Sequence, residues 1–363
     1  FDLSFLRSQI PAEAMLRAAL AALATAATFC ATVAERRPVI ISTDPGIDDS
    51  IALLLALASP ELDVRAVCIN FGSLHNTSQL AQNALDVLSF AGREDIPVFL
   101  GATNPLSQPF HDLGGPKFHG TDGLGGVQLP TSRARVNTSL SAAEFIAHAC
   151  RSWHPAPLLV SLAPLTNVAL ALSLEPKLPQ LCPDLYFMGG TVVEPGNVGP
   201  MSEANIANDP EAAARVFAAS FDTKVASLDV TRPSWLSPDF LGKVRGLPNP
   251  AGPFIWEITR FYERAYETVG YEGGMPLHDP TAILLHLKPE FYQLHRWPVT
   301  VDTSPFPSVS RGVLLVDRRG GPKSPPPPAS DKVHFPMHVD VTAVHEFLLA
   351  RIGSLPNGEV FSA

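Results

Sequence analysis

The sequence predicts an α/β fold: a single domain built on a mainly parallel sheet with helices on both faces. Two observations carry that prediction. From residue 38 to residue 353, short apolar runs alternate with helix-length amphipathic stretches without a break in composition, the pattern that wraps helices around a parallel sheet. In addition, Asp44, Asp48 and Asp49 crowd the point where the first strand gives way to the first helix, and open α/β sheets hold their ligands at such carboxyl ends.

The first unit is Pro38 to Leu57. Val39 to Ile41 read as a buried strand and Ile51 to Leu57 as a helix packed on it. Thereafter the reading is a strand at Asp63 to Ile69, a helix at Ser78 to Ala91, a strand at Pro97 to Leu100 and a helix at Ala142 to Ser152. A strand at Pro157 to Leu162, a helix at Asn167 to Leu174, a strand at Leu185 to Met188, a helix at Glu211 to Ala219 and a strand at Lys224 to Val230 follow. Arg245 to Pro253 reads as loop and Phe254 to Val269 as a helix whose Trp256, Phe261, Tyr262 and Tyr266 line either the core or a pocket. The proline-rich Gly320 to Ser330 reads as a surface excursion, and Val339 to Ile352 as a strand fragment with a closing helix. The whole implies a Rossmann-like open sheet over 38–353, with 354–363 as a C-terminal tail.

The chain has 363 residues, 46% of them hydrophobic, which suffices for a large core, and a formal net charge of -9. With no lysine or arginine run to track a phosphate backbone, nucleic-acid polymers are not expected as partners. Residues 1–37 differ from the rest. Met15-Leu16-Arg17 lead into an alanine-rich apolar stretch with small residues near Ala31 to Ala34, the parts of a signal or transit segment. The stretch is too short and alanine-rich to span a bilayer, so no stable membrane insertion is expected. Secretion follows if residues 15–34 act as a signal; otherwise the protein is cytoplasmic. The sequons Asn76-Thr77-Ser78 and Asn137-Thr138-Ser139 are compatible with secretion. Cys30, Cys68, Cys150 and Cys182 make no CxxC pair, and the apolar contexts of Cys68 and Cys150 predict buried thiols in preference to ligands or disulfides.

The chemistry gathers in a few polar stretches. Asp48 and Asp49 fall in a first helical turn, where negative charge is favourable, but this does not explain Asp44 before the Pro45-Gly46 turn. Three anions held this close need a cation or protons, and oxygen-only ligands suit Ca²⁺ or Mg²⁺. Thr166 or Asn167 in Pro164-Leu165-Thr166-Asn167 is an ordinary helix cap. Asn197, Glu203 and Asn205 offer donors and acceptors suited to a polyhydroxylated ring. His278-Asp279-Pro280 has the form of a helix start, the same form as Asn208-Asp209-Pro210, for which no chemistry is needed. Glycines around His119 and Asp122 suggest a mobile loop that closes over a pocket.

Together these stretches resemble the inosine-uridine preferring nucleoside hydrolases. The segment Asp44-Pro45-Gly46-Ile47-Asp48-Asp49 after a strand looks like that family's N-terminal signature, and Gly196-Asn197 to Asn205 like its ribose-binding segment. Pro164 to Asn167, the loop His119 to Gly125 and His278-Asp279-Pro280 complete the resemblance. It implies the nucleoside hydrolase fold and hydrolysis of the N-glycosidic bond of ribonucleosides to ribose and free base. It further implies one Ca²⁺ per subunit on Asp44, Asp49, the Thr166 carbonyl and Asp279. In that scheme Asp44 takes a proton from the Ca-bound water, Asp48, Asn197, Glu203, Asn205 and Asp279 bind the substrate, and His278 donates a proton to the departing base. Homodimers or homotetramers are the assemblies implied. Two departures stand out: Ser42 where the family has an aspartate, and Ser73 where it has an asparagine touching ribose and base, a contact Asn76 would replace after a loop shift. They motivate an alternative, a catalytically weak ribose- or nucleoside-binding protein on the same scaffold. A metal-dependent phosphohydrolase fits less well, because no phosphate-cradling loop accompanies the acids.

Overall fold

The computed structural model describes residues 36–319 and 333–356. From Arg37 onward the chain forms one compact unit. The expected signal or transit segment, the excursion at 320–330 and Cys30 lie outside the described residues.

Strand β1 (Arg37–Thr43) alternates its side chains between two cores. Val39 and Ile41 enter one, Ile40 the other, and all three are at most 1% exposed. Each such fully buried chain contributes roughly 1.5–3 kcal/mol of transfer free energy, so both faces of this strand must be covered. Helices α1 (Ile47–Leu57) and α2 (Thr77–Phe90) lie on the first face. On the second face lie α3 (Ala142–Ser152), α4 (Thr166–Leu174) and α5 (Pro210–Ala218). The long α6 (Ala251–Glu267), α7 (Asp279–Leu287) and the closing α8 (Val341–Gly353) return to the first.

The remaining strands are β2 (Leu62–Ile69), β3 (Val98–Leu100), β4 (Leu158–Ser161), β5 (Asp184–Met188), β6 (Asp222–Ala226), β7 (Tyr292–Arg296) and β8 (Val333–Val339). They form one eight-stranded sheet in the order β3-β2-β1-β4-β5-β6-β8-β7. All neighbours are parallel except the edge pair β8 and β7. β1 has β2 on one side and β4 on the other, so the winding reverses direction there. A crevice opens at the carboxyl ends of β1 and β4, as such a reversal requires.

Four expectations change. The sixth strand stops at Ala226 instead of Val230, because Asp229 turns inward to accept from the main-chain amides of Val192, Val193 and Glu194, bending Leu228–Thr231 into a helical turn. Helix α6 begins at Ala251, earlier than Phe254, since Pro253 is tolerated in a first turn and Asn249 accepts from the Gly252 amide. The edge strand β7 was not foreseen; its pattern of one buried residue followed by four exposed ones carries little periodicity. Cys150 and Cys182 are bonded to each other and are not free thiols. Packing of α3 beside the turn Leu178–Leu181 brings together two residues 32 apart in sequence, which local context does not reveal. Cys68 is a buried free thiol, as expected.

Candidate active site

A cavity of about 500 Å³ opens at the carboxyl ends of the strands. Its floor comes from the link between β1 and α1. Pro45 and Gly46 turn the chain so sharply that Asp49 reaches back over it, accepting from the Gly46 amide at 3.0 Å, the Asp44 amide at 3.2 Å and the Thr43 hydroxyl. Asp48, one position earlier in the same turn of α1, accepts from the Tyr262 hydroxyl at 3.2 Å. Asp279, at the start of α7, completes a group in which carboxylate oxygens of Asp48, Asp49 and Asp279 lie within 4.8 Å of one another.

Asp44 sits beside this trio. Its Oδ2 accepts from the Ser73 amide, and the Ser73 hydroxyl donates to the Asp44 carbonyl. Gly72 is required here: a Cβ on it would stand 2.1 Å from Asp44 Oδ2. Asp44, Asp48, Asp49 and Asp279 are each at most 5% exposed. Burial pushes every one of them above the usual carboxylate range, Asp48 to about 6, and the neighbouring negative charges push Asp44, Asp49 and Asp279 further. Buried acids raised by one another are held together at a cost that a cation removes. A hard divalent cation fits this all-oxygen donor set.

A second wall is the segment 196–205. Glu203 caps the helical turn Ala204–Asn208, accepting from the amides of Gly190, Asn205 and Ile206, and burial raises it to about 7. Asn205 donates to the carbonyls of Leu162 and Met188 at 2.8 and 3.1 Å, which commits its amide nitrogen and leaves Oδ1 for a ligand. Asn197 Oδ1 accepts from the Ala204 amide at 3.0 Å, which leaves its nitrogen as the donor.

The third wall is aromatic. Tyr262 and Tyr266, one turn apart on α6, both face the cavity together with Tyr271. These two tyrosines belong to both core and pocket, being members of the first core that also line the cavity, while Trp256 and Phe261 pack at the margin of that core. His278 is buried with both ring nitrogens engaged, Nδ1 with the Thr231 hydroxyl at 2.8 Å and Nε2 with the Tyr266 hydroxyl at 2.7 Å. Burial lowers its pKa to about 3, so the imidazole is neutral. His119 also reaches the cavity. Its Nδ1 accepts from the Ile47 amide at 3.2 Å and stands 3.8 Å from Asp48, occupying the space a Cβ at Gly46 would need.

The cavity thus gathers Asp44, Asp48, Asp49, His119, Asn197, Glu203, Asn205, His278 and Asp279. Thr166 is not on its wall: the residue is buried, with its hydroxyl donating to Asp209 at 2.7 Å. The trio of close carboxylates includes Asp48, expected on the sugar, and not Asp44. Asn76 caps α2 and is absent from the wall; Ser73 lines it instead. Arg232 and Tyr271 also line it without having been anticipated. Arg232 follows an unremarkable Val230-Thr231, and only the fold turns it inward, where it donates to the carbonyls of Pro195 and Gly196.

A crevice at a sheet reversal, floored by acids and walled by amides and aromatic rings, is the ligand-binding site of an open α/β fold. The chain belongs to the inosine-uridine preferring nucleoside hydrolase family, whose profile matches residues 39–346. It is 37% identical over 283 residues to the pyrimidine-specific ribonucleoside hydrolase RihA of Klebsiella pneumoniae, covering 77% of this chain and 88% of that protein. A probable uridine nucleosidase 2 of Arabidopsis thaliana is 34% identical, covering 78% and 87% of the two chains. Among solved structures, a purine-preferring ribonucleoside hydrolase from Gardnerella vaginalis superposes with a TM-score of 0.80 at 29% identity, over 88% of this chain and 99% of that one. The chain is therefore an N-glycosyl hydrolase by family, and the expected fold is the observed one. Among the described residues, no helix is long and apolar enough to cross a membrane.

Proposed function

We propose that the protein hydrolyses the N-glycosidic bond of ribonucleosides to ribose and free base with one Ca²⁺ bound at the acid floor. The observation that carries this reading is the buried trio Asp48, Asp49 and Asp279 facing the amides of Asn197 and Asn205 across one cavity. Asp49 and Asp279 would hold the ion with Asp48 and Asp44 beside them; the Thr166 carbonyl of the family resemblance is left out of the set, because that residue does not line the cavity. When bound, the ion supplies Lewis-acid polarisation of the attacking water and of the ribose diol.

Every other step falls to the chain's own groups. Asp44, its Oδ2 oriented by the Ser73 amide, accepts the water's proton as the oxygen attacks the anomeric carbon. Asn205 Oδ1 accepts from a ring hydroxyl, while Asn197 and Glu203 hold the far side of the sugar. The fixed dipoles of this wall favour the positive charge that develops on the ring. The departing base takes its proton from the Tyr266 hydroxyl, which is resupplied by the proton on His278 Nε2, hydrogen-bonded to it at 2.7 Å. The homodimer or homotetramer of the family resemblance is the proposed assembly.

The test is free-base release from inosine, uridine, adenosine, guanosine and cytidine. The wild-type protein releases base from at least one of them. Asp44→Ala lowers its turnover by at least about a hundredfold, in line with the roughly 10²–10⁴ a general base contributes, without a change in the folded-state circular dichroism. Tight binding of nucleosides with no release by the wild type would favour the weakly catalytic binding protein, a reading that Ser42 and Ser73 motivate.

A further inference from the structure

A second cavity, of about 220 Å³, adjoins the first. Both are bordered by Leu113, Val198 and Asn208. The partition between them is the tight turn 196–203, closed by main-chain bonds from Gly196 to Pro200 at 2.9 Å and from Asn197 to Ser202 at 3.1 Å, and tied to Arg311 through the Ser202 hydroxyl at 2.8 Å. Asn197 therefore presents one side of this turn to the sugar, and the residue after it, Val198, borders the space beyond.

That space mixes polar side chains with an apolar rim. Phe306 is 51% exposed with one face stacked on His111 at 4.1 Å, and Val309 is 86% exposed. Exposed apolar side chains gathered at the rim of a concavity mark a ligand surface. Arg311 borders the cavity but is committed: its two terminal nitrogens pair with Glu211 at 2.9 and 2.8 Å, and one also donates to the Ser304 carbonyl. Its charge is neutralised, so a phosphate entering here meets no uncommitted arginine.

Orientation of the sugar links the two cavities, and this step rests on the function proposed above. With the diol on the acid floor and the base against Tyr266 and His278, the proposed seat of Asn197 and Glu203 on the far side of the sugar sets C5′ toward the turn that carries Asn197 and Val198. We propose that the second cavity is a subsite for an uncharged apolar or aromatic substituent on C5′, making ribonucleosides that carry such a 5′ group a substrate class of this enzyme, with a 5′-phenylthio group as the probe. The bond cleaved is unchanged: water adds at C1′, and the products are the free base and the 5′-substituted ribose.

The test compares uridine and inosine with their 5′-deoxy-5′-phenylthio derivatives and their 5′-monophosphates. Base release is followed with the Ca²⁺-loaded protein, and equilibrium binding is followed by calorimetry with the Asp44→Ala protein. The phenylthio compounds are expected to match or exceed the parent nucleosides in kcat/KM, with the monophosphates far below both. Phe306→Ala, at an exposed position, should lower kcat/KM for the phenylthio compounds by about tenfold or more and leave the parents within about twofold, the range a single apolar contact commands. Val309→Asp should produce the same pattern by placing a charge at the rim.

A phenylthio compound more than about a hundredfold poorer than its parent, an equal loss on both substrates in the Phe306 variant, or preferred cleavage of the monophosphate would each overturn the subsite. If no compound of either kind loses its base, the hydrolase reading fails, and binding then decides the subsite separately. Tighter binding of the phenylthio compound than of its parent, weakened by Phe306→Ala, supports it; equal or weaker binding rejects it.

Discussion

Asp209-Pro210 and Asp279-Pro280 are the same dipeptide at the start of two helices, and both aspartates are buried, at 0% and 3% exposure. Their surroundings separate them. Asp209 accepts from the Ala212 amide at 3.0 Å, the Leu106 amide at 3.0 Å and the Thr166 hydroxyl at 2.7 Å. Three neutral donors satisfy it, and it joins α5 to the start of α4 and to the loop before Leu106. Asp279 instead meets Asp48, Asp49 and Asp44. Burial raises the pKa of both, but hydrogen bonds hold Asp209 down while like charges drive Asp279 well up. One acid is a completed structural cap and the other an incomplete site that calls for a cation.

Substitution should divide the pair cleanly. Asp279→Asn is expected to abolish the thermal shift produced by Ca²⁺ and to lower turnover by about a hundredfold or more, because it removes a ligand charge without removing volume. Asp209→Asn should do the reverse, leaving turnover within a few-fold while lowering unfolding free energy by about 1–3 kcal/mol, the cost of mispaired buried donors. Kinetics and denaturant titration on the two variants check this. Equal loss of turnover in both would remove the distinction.

A smaller effect sharpens the contrast through pH. In the metal-free protein Asp44, Asp48, Asp49, Asp279 and Glu203 all have folded pKa values above their unfolded ones, with Asp48 near 6 and Glu203 near 7. The folded state then binds more protons than the unfolded state, so stability falls as pH rises from about 4.5 through 7. Melting of the chelated protein between pH 5 and pH 8 should show this decline, and saturating Ca²⁺ should flatten it. A chelated protein that gains stability over the same interval would contradict the crowding of these acids.

The same pair explains how far sequence reading reaches. The strand and helix order was legible because both faces of the sheet are buried and the apolar period is strong, as at Val39, Ile40 and Ile41. The acid floor was legible because Asp44, Asp48 and Asp49 lie within one turn of chain. Asp279 could not be separated from Asp209 by its neighbours in sequence, because the difference lies in what the fold brings against it. Arg232, Tyr271 and the Cys150 to Cys182 bond were hidden for the same reason: each depends on contacts between distant segments. Ser73 was visible only as a departure, and the structure gives it the task of orienting Asp44 through its amide, which any residue but proline supplies.

The most direct measurement is release of free base by protein stripped with a chelator and then titrated with Ca²⁺. The account predicts negligible release from the stripped protein and full recovery as one Ca²⁺ per chain is restored, with Mg²⁺ recovering less. Release that is undiminished after stripping, in protein shown by elemental analysis to be free of divalent cations, would contradict it.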